Sequence, residues 1–361
     1  MRNPVKIKAI DLFCGAGGVT RGLLDAGIDV IAGFDIDISL KKVYEENNIR
    51  QNGVKAQYFD KKVESITKKD IYKLVGSKTE RKKQKEKFLL AGCAPCQPFS
   101  LKNKNRHDKT DHRRTLITYF ADLVKETKPD FVFMENVAGL ANLEPDNLEY
   151  FLNTLKDEGF SVATGIVNAK NYGVPQNRKR FVVLASKESE VKIPEGEYDG
   201  VTKSHKTVGD TIQNLPLLNP GEESLGMANH KCANLSDLNK IRLKATPKNG
   251  GSRTSWRKNL WLNCHLDDNG NPKQGHGDVY GRMSWEKPAP TLTTKFNSIT
   301  TGRYAHPEQD RAISLREGAF LQSFPKNYIF YGNMQAIAKQ IGNAVPPKMA
   351  EAFGKYFLSI H

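Results

Sequence analysis

The sequence has few cysteines and no long apolar segment. Five cysteines in 361 residues are an odd number in a long chain, which excludes a disulfide framework and favours a reducing cytoplasm. No apolar run approaches the roughly 20 residues that span a bilayer, so no membrane partner is expected. The N-terminal residues also lack the apolar core and small-residue cleavage site of a signal peptide. These absences indicate a globular protein of the cytoplasm, long enough for one large domain and a smaller one.

Negative charge is scarce relative to positive charge. The 55 lysines and arginines outnumber the 40 acidic residues, and the formal net charge is +15. A polyanionic partner is the simplest explanation, because lysine and arginine release counterions from phosphates; the alternative is a generally lysine-rich composition with no such partner. Positive charge is dense from Lys61 to Lys87, which predicts a solvated insertion, and again from Lys102 to Arg114. The second block directly follows Cys96, and there a phosphate-facing role is favoured.

The first half of the chain alternates short apolar runs with amphipathic ones. This pattern is typical of a doubly wound, mostly parallel α/β sheet, whose ligands bind at the carboxyl ends of the strands. After Ser186 the rhythm is lost and the chain becomes rich in Gly, Asn, Pro and Lys. A second, smaller and irregular domain, with Trp256 and Trp261 in its core, is therefore predicted. The predicted strands are Ile7 to Phe13, Val30 to Asp35, Ala56 to Phe59, Phe88 to Ala91, Phe131 to Met134, Ser161 to Val167 and Arg180 to Leu184.

The first predicted strand runs into a glycine-rich turn, with the sequence DLFCGAGG from Asp11 to Gly18. Such a turn between a strand and a helix lets a ligand approach the backbone at the helix N-terminus. The second strand ends about 20 residues later in Asp35, where an acidic side chain would hold a ribose diol. The loop could serve NAD, a flavin or S-adenosylmethionine. Thr20 stands where the third glycine of the dinucleotide fingerprint is expected, which weakens the NAD interpretation.

The fourth predicted strand runs into the sequence GCAPCQPFS, from Gly92 to Ser100. Its two cysteines allow three interpretations. A structural zinc site needs four ligands, usually with a second close pair, and the remaining candidates have no paired spacing. A redox pair has the local Cys-x-x-Cys form, but Pro98 blocks the helix that such a pair normally precedes. The third interpretation makes Cys96 a nucleophile and Cys93 a small buried residue. The remaining zinc candidates are His230, Cys232, Cys264 and His265.

Two further polar patterns stand at strand ends. Glu135, in the run ENV, follows the fifth predicted strand and lies at the same sheet edge as Asp35 and Cys96. A lone glutamate there is often only a surface group or a helix cap. Arg178 and Arg180, in the run QNRKRF, alternate into a strand, and by themselves they could form a basic edge strand.

Taken together, these motifs resemble the cytosine-5 DNA methyltransferase family. Separated motifs in one order do not arise from composition, so the resemblance is specific. It implies an S-adenosylmethionine-dependent methyltransferase fold, and it leaves about Lys187 to Tyr280 unmatched. In chain order the matching runs are DLFxGxGG from Asp11, PCQ from Pro95, ENV from Glu135, QxRxR from Gln176, RE at Arg316 and GNAV from Gly342.

The resemblance implies a covalent mechanism for methylating carbon 5 of cytosine. This carbon is a poor nucleophile until a thiolate adds to carbon 6, and Cys96 suits that role. Glu135 would give a proton or a strong hydrogen bond to ring nitrogen 3, which requires it to be protonated or to share a proton in the complex. Arg180, supported by Arg178, would stabilise negative charge on the carbonyl oxygen of the base. The chemistry needs no metal.

The same resemblance assigns residues to S-adenosylmethionine by their position in the motifs. Asp35 would contact the ribose, and Pro95 would lie beside the methyl group. The family usually has an acidic residue after the third strand that contacts the adenine; here the residue before Val63 is Lys62, and Asp60 is the substitute that we predict. The full set is Phe13, Gly15, Gly17, Asp35, Asp60, Pro95 and Asn343.

The target base lies inside the duplex and must be swung out, at a cost of a few kcal/mol. The resemblance implies that Ser100 to Arg114 closes over the DNA, with phosphate contacts from Lys102, Arg106, Arg113 and Arg114. Residues 187–327 would form a target-recognition domain, and residues 1–186 with 328–361 the catalytic domain. Within the former, Lys248 to Arg257 would contact DNA through Arg253 and Arg257, reading bases or only touching backbone.

The sequence thus predicts a monomeric DNA cytosine-5 methyltransferase of the bacterial modification type. Double-stranded DNA is its expected partner, and a companion restriction endonuclease would complete a restriction–modification system. Two alternatives remain, the same chemistry on tRNA and a catalytically silent DNA-binding regulator. The sizeable recognition region and the positive charge favour DNA over tRNA. The complete set of Cys96, Glu135, Arg178 and Arg180 argues against a regulator, which would not need all of them.

Overall fold

Alternating strands and helices build the first part of the chain, as the sequence predicts. The computed structural model describes residues 6–95, 115–271 and 278–360. The strands are β1 (Lys6–Leu12), β2 (Asp29–Asp35), β3 (Gln57–Asp60), β4 (Glu86–Gly92), β5 (Phe131–Val137), β6 (Ser161–Asn168), β7 (Gln176–Asn177), β8 (Lys179–Ser186) and β9 (Ala289–Pro290). The helices are α1 (Gly18–Ala26), α2 (Lys41–Asn47), α3 (Lys68–Val75), α4 (Lys78–Gln84), α5 (Leu116–Thr127), α6 (Leu140–Leu143), α7 (Pro145–Asp157), α8 (Val208–Ile212), α9 (Asp237–Ala245), α10 (Leu315–Leu321), α11 (Met334–Asn343) and α12 (Pro347–Ser359).

Seven strands form one sheet in the order β3-β2-β1-β4-β5-β8-β6. Neighbours from β3 to β5 are parallel, and β8 runs antiparallel to both β5 and β6. The predicted doubly wound, mostly parallel sheet is therefore confirmed. The strand order reverses between β1 and β4, because β2 and β3 lie beyond β1 on one side and β5 lies beyond β4 on the other. The carboxyl ends of β1 and β4 therefore border the crevice where such sheets bind ligands.

The C-terminal helix α12 packs against the first helix α1 through glycines. A Cβ atom on Gly18 would lie 2.3 Å from the carbonyl oxygen of Val345, and one on Gly22 would lie 2.3 Å from that of Pro347. No side chain fits such a distance, so glycine at both positions permits the two backbones to touch. This contact gives the run that ends in Val345 and Pro347 a structural role beside the glycine-rich turn.

The chain divides into two compact units. Unit 1 comprises the described residues up to Tyr172, then Lys179–Glu197, and the chain from Ala344 onward; unit 2 comprises Gly173–Arg178 and Tyr198–Asn343. The seven-stranded sheet belongs to unit 1, whereas unit 2 contains the short pair of β7 and β9. The last two changes of unit fall at residues 198 and 344, whereas the sequence predicts domain boundaries at residues 187 and 327. The assignment of residues 187–327 to target recognition stays a prediction. Among the described residues, no helix is long and apolar enough to cross a membrane.

Unit 2 compensates for its scarcity of regular structure with buried polar side chains that bind backbone. The side chain of Arg282 is fully buried and donates to the carbonyl oxygens of Leu243 (2.7 Å), Thr246 (3.1 Å), His306 (3.0 Å) and Gln309 (2.7 Å). One guanidinium thereby satisfies acceptors that irregular backbone would otherwise leave buried without partners. A small apolar core around Trp256 and Tyr280 completes this part of the unit.

The start of α10 is held by a second buried arginine. Arg311 Nη1 and Nη2 lie 2.7 and 2.6 Å from the two carboxylate oxygens of Glu317, and the N–H of Ser314 donates to the same carboxylate at 2.6 Å. Burial alone would raise the pKa of Glu317, but the hydrogen bonds and charge of Arg311 outweigh it and hold the pKa below its ordinary value. The RE motif therefore contributes a helix cap and a bidentate ion pair to unit 2.

We expect Glu317→Gln to destabilise unit 2 by about 3–5 kcal/mol, because it leaves the buried Arg311 charge without its partner. All three tryptophans lie in unit 2, so tryptophan fluorescence during urea unfolding measures this loss specifically. Glu223→Gln is the matched control, since Glu223 forms an exposed pair with Lys231 and should cost less than about 1 kcal/mol.

The stability that Glu317 contributes should also depend on pH. Its folded-state pKa is depressed, so the contribution is present above the unfolded pKa of about 4.3 and is lost as pH falls through the folded value. Equal unfolding midpoints for Glu317→Gln and Glu223→Gln would contradict the assignment.

Candidate active site

The glycine-rich turn after β1 has the backbone that its sequence predicts. Phe13, Gly15 and Gly17 all have positive φ angles, of 56°, 54° and 86°. At Gly15 an added Cβ would meet nothing within 4 Å, so open space faces this part of the backbone. The turn therefore presents an accessible backbone surface at the carboxyl end of β1, where a ligand could approach closely.

Asp35 supports this turn from the end of β2. Its Oδ2 accepts the N–H of Gly15 at 3.0 Å, and its Oδ1 accepts the N–H of Asp37 at 3.1 Å. Burial raises the pKa of Asp35, and these N–H donors oppose that effect. The carboxylate is thus placed beside Gly15 and supports the loop, and its predicted contact with a ribose stays a prediction. Ile36, which the sequence analysis did not select, is 67% exposed directly after it.

Thr20, which stands where the dinucleotide-binding fingerprint has its third glycine, uses its side chain to bind two other elements. Its hydroxyl donates to Oδ2 of Asp11 at 2.7 Å, its N–H reaches the same oxygen at 3.2 Å, and its Oγ1 lies 2.8 Å from the Tyr44 hydroxyl. Burial raises the pKa of Asp11 to about 7. Glycine could not make these side-chain contacts, which connect α1 to β1 and α2. The sequence showed only the departure from the fingerprint, because the partners of Thr20 come from other elements.

Asp60 and Pro95 lie at the same edge of the sheet. Asp60 is exposed at the end of β3 and is the register partner of Asp35. Pro95 is half-buried just beyond the end of β4. The last residue of the predicted cofactor set, Asn343, is exposed at the end of α11 in unit 2.

Glu135 and Arg180 form a buried ion pair on adjacent strands. Glu135 of β5 faces Val182 of β8 in register, and Val137 faces Arg180, so Glu135 and Arg180 are diagonal neighbours. Arg180 Nε lies 2.7 Å from Glu135 Oε1, and the glutamate is only 2% exposed. The two residues that the sequence assigned to the cytosine ring therefore meet in the structure.

The segment that leads into Cys96 is attached to both neighbouring strands. The N–H of Cys93 donates to the carbonyl oxygen of Leu12 at 3.2 Å, and Asn136 Nδ2 donates to that of Ala94 at 3.2 Å. Cys96 itself lies outside the described residues. Cys93 and Ala94, which precede it, are nevertheless held beside β1 and β5.

Cys93 differs from its predicted role as a small buried residue. Its side chain is half-buried, and its thiol donates to Glu135 Oε2 at 2.8 Å. The sequence contains no signal for this contact, since the two residues are 42 positions apart and meet only because β4 and β5 are neighbours.

Arg178 is placed differently from Arg180. It is buried in unit 2, where Nη1 donates to the carbonyl oxygen of Leu292 at 3.1 Å and Nη2 to that of Gly342 at 3.2 Å. These contacts are to backbone, so they correct the expectation that Arg178 supports Arg180 at the base. We assign Arg178 a scaffolding role and retain Arg180 alone beside Glu135.

The two arginines of unit 2 that were predicted to contact DNA differ in their exposure to solvent. Arg253 is 3% exposed, with its guanidinium over the Trp261 ring and 2.6 Å from His265 Nδ1. A buried guanidinium cannot reach a phosphate in this conformation, which corrects the expectation for Arg253. Arg257 is exposed, as a DNA contact requires. The predicted contacts at Lys102, Arg106, Arg113 and Arg114 lie outside the described residues.

The candidate zinc ligands of unit 2 have other partners. His230 places its ring nitrogens 2.9 Å from Ser314 Oγ and 2.8 Å from the Pro216 carbonyl oxygen, and Cys232 Sγ donates to the carbonyl oxygen of Asn219. Among residues 6–95, 115–271 and 278–360, no group of three or more His, Cys, Asp or Glu side chains could hold a metal ion.

Solved structures share this arrangement of strands and helices. An E. coli prophage-encoded protein described as a DNA modification methyltransferase aligns with a TM-score of 0.72 at 21% identity, over 98% of this chain and 99% of its own. S. pombe Dnmt2 methyltransferase aligns with a TM-score of 0.61 at 15% identity, over 97% of each chain. The fold is therefore that of methyltransferases.

Sequence comparison defines the family. The model of the C-5 cytosine-specific DNA methylase family matches residues 7–358. Type II methylase M.HgiDII of Herpetosiphon aurantiacus is 36% identical over 96% of this chain and 93% of its own length. Type II methyltransferase M1.HphI of Haemophilus parahaemolyticus is 31% identical over 98% and 87%. The chain belongs to the C-5 cytosine-specific DNA methylase family and is a DNA (cytosine-5)-methyltransferase.

Proposed function

We propose that this enzyme transfers a methyl group from S-adenosylmethionine to carbon 5 of a cytosine flipped out of a specific short DNA sequence. The observation that carries the proposal is the Glu135–Arg180 pair, beside the segment that leads into Cys96. Similarity to type II methylases over nearly the whole chain supports a protective role in a restriction–modification system.

The covalent step uses Cys96 as a thiolate. A bond forms between its sulfur and carbon 6, the 5,6 double-bond pair shifts to the 4,5 position, and ring nitrogen 3 takes the displaced pair together with a proton from Glu135. Carbon 5 is then nucleophilic and would take the methyl group with the 4,5 pair, while the bonding pair of the methyl group would stay with the donor's sulfur. The double bond between carbon 4 and nitrogen 3 re-forms, and nitrogen 3 returns its proton to Glu135. A base removes the carbon 5 proton, the 5,6 double bond re-forms, and the Cys96 thiolate leaves with the pair of the carbon–sulfur bond.

Arg180 supports this step by charge. Among the described residues its Nε pairs with Glu135 and its Nη1 donates to the Lys179 carbonyl oxygen, which leaves Nη2 to face the carbonyl oxygen of the base. A fixed cation there stabilises negative charge that grows as the thiolate adds. The same cation stabilises the glutamate after it has given up its proton.

The residues at the carboxyl edge of the sheet fit S-adenosylmethionine. The open face at Gly15 admits the ligand to the backbone, Asp35 is placed for the ribose, and exposed Ile36 offers an apolar surface for the adenine. Asp60 and Pro95 remain proposed contacts for the adenine and the methyl group, together with Phe13, Gly17 and Asn343. When bound, S-adenosylmethionine supplies the electrophilic methyl group.

Activity and target are tested together by bisulfite sequencing of DNA from cells that express the protein. We expect complete protection of one cytosine in a single short sequence and none elsewhere, whereas DNA from cells expressing Cys96→Ser should be fully converted. Protected cytosines in tRNA but not in DNA would contradict the proposal.

DNA binding should weaken steeply with salt. With one phosphate contact each from Lys102, Arg106, Arg113, Arg114 and Arg257, the logarithm of the association constant should fall with that of salt concentration with a slope of about −4 to −5. Raising salt from roughly 50 to 200 mM should then weaken binding about 500-fold.

Single variants distinguish the proposed phosphate contacts from the first basic block, Lys61 to Lys87, which is not expected to bind DNA. Fluorescence anisotropy should show that Arg257→Gln reduces the slope by about 1. Lys83→Gln on exposed α4 should leave it unchanged, and a flat salt dependence of the wild type would remove the assignment of the basic segment to phosphates.

A further inference from the structure

Cys93 and Glu135 are neighbours because of strand register. β4 and β5 are parallel, and Gly92 pairs with Met134, so the next residue of each strand lies beside the other at the carboxyl edge. The thiol of Cys93 donates to Glu135 Oε2 at 2.8 Å. The mechanism proposed above makes no use of this contact.

The carboxyl group of Glu135 is held from both sides. Arg180 of β8 contacts Oε1 and Cys93 beyond β4 contacts Oε2, while Glu135 stands on β5 between them. Within the part of the chain that the structure describes, Oε1 has the ion pair with Arg180 but no hydrogen bond, whereas Oε2 accepts the hydrogen bond of the thiol. The thiol is therefore the directional contact that rotation of the carboxyl plane would break. The backbone of the Cys93 segment is itself bonded to Leu12 and Asn136, so the main chain that carries the thiol is held at this edge of the sheet.

We propose that Cys93 is a positioning residue that orients the Glu135 carboxyl group toward ring nitrogen 3 of the target cytosine. The inference rests on the function proposed above and deepens it. Glu135 must be able to gain and lose a proton, and a thiol is a weaker hydrogen-bond donor than a hydroxyl. A donor that bonds a carboxylate stabilises its ionised form. A thiol therefore holds the carboxyl group in place while leaving its protonated form accessible.

The proposal is tested by steady-state methylation kinetics of Cys93→Ala and Cys93→Ser. These two variants differ by one hydroxyl, so they isolate the donor from the packing. We expect Cys93→Ala to lower kcat about tenfold, equivalent to about 1.4 kcal/mol in the transition state, with KM for DNA within about twofold. Cys93→Ser should keep kcat within about threefold of wild type.

The split between kcat and KM distinguishes positioning from general damage. A merely structural loss would also raise KM for DNA, whereas a misplaced Glu135 carboxyl group lowers kcat alone. Cys264→Ser, at an exposed cysteine of unit 2, is the control and should change neither kcat nor KM.

The outcomes separate this inference from the proposed function. Wild-type kcat in Cys93→Ala, or an equal loss of kcat in both Cys93 variants, would overturn the positioning role, while covalent trapping of the wild type would still support the mechanism. Failure of the wild type to methylate or trap would overturn the proposed function itself. If Cys93→Ala does not fold, Cys93→Val, which also lacks a hydrogen-bond donor, replaces it, and wild-type kcat in that variant rejects the positioning role.

Discussion

Cys96→Ser is expected to lower methyl transfer to DNA to less than about one-thousandth of the wild-type rate. A serine hydroxyl is almost entirely protonated near neutral pH and no neighbouring base is assigned to it, so addition to carbon 6 would lose its nucleophile. Transfer of tritiated methyl groups to DNA measures the loss. Because Cys96 is not assigned to phosphates or to the DNA-reading segment, the affinity for DNA should stay within about threefold of wild type.

Two controls distinguish this effect from general damage. Cys93→Ser removes the other cysteine of the same segment and should retain activity within about threefold. DNA containing 5-fluorocytosine should form a covalent complex with the wild type and with Cys93→Ser but not with Cys96→Ser, because fluorine at carbon 5 cannot be removed as a proton. Trapping of Cys96→Ser, or normal turnover by it, would refute the covalent mechanism.

Glu135→Gln is expected to lower kcat by about 10²- to 10⁴-fold, the range typical of a lost general acid. Glutamine has nearly the same shape and can still accept from Cys93, but it cannot pass a proton to ring nitrogen 3. It also removes the negative partner of Arg180, with which Glu135 forms a 2.7 Å ion pair. Single-turnover methylation under saturating DNA would show the loss in the chemical step.

A glutamate elsewhere in unit 1 serves as the matched control. Glu158 pairs with Lys128 and Lys187, near the opposite ends of β5 and β8, and Glu158→Gln should leave kcat within about twofold. Glu135→Gln combined with Arg180→Gln should cost less than the sum of the single effects, because the two side chains interact directly. Full activity of Glu135→Gln would show that another group protonates the ring.

Much of the fold was predictable because it depends on local patterns. Each predicted strand from Ile7 to Leu184 corresponds to an observed one, since short apolar runs separated by amphipathic segments encode buried parallel strands and covering helices. The positions of Asp35 and Glu135 at one sheet edge follow from the same pattern, because the carboxyl ends of parallel strands share an edge.

Local patterns did not predict which of two nearby arginines would be buried or which partners each would bind. Arg178 and Arg180 are two positions apart in one motif, yet the first binds carbonyl oxygens more than 100 residues away along the chain and the second pairs with Glu135. Arg253 and Arg257 lie in one basic segment, and only the second is exposed. Burial and partner choice depend on contacts between distant segments, which a single sequence does not display.

By itself the sequence determined the order of the motifs, the class of fold and the chemical fitness of Cys96, because these depend on residue type and local spacing. Only the tertiary structure decided that Thr20 connects α1 to Asp11, that Arg178 supports backbone, and that the Cys93 thiol meets Glu135. Each of these contacts joins residues from different elements. Their geometry arises from strand register and helix packing, which exist only once the chain has folded.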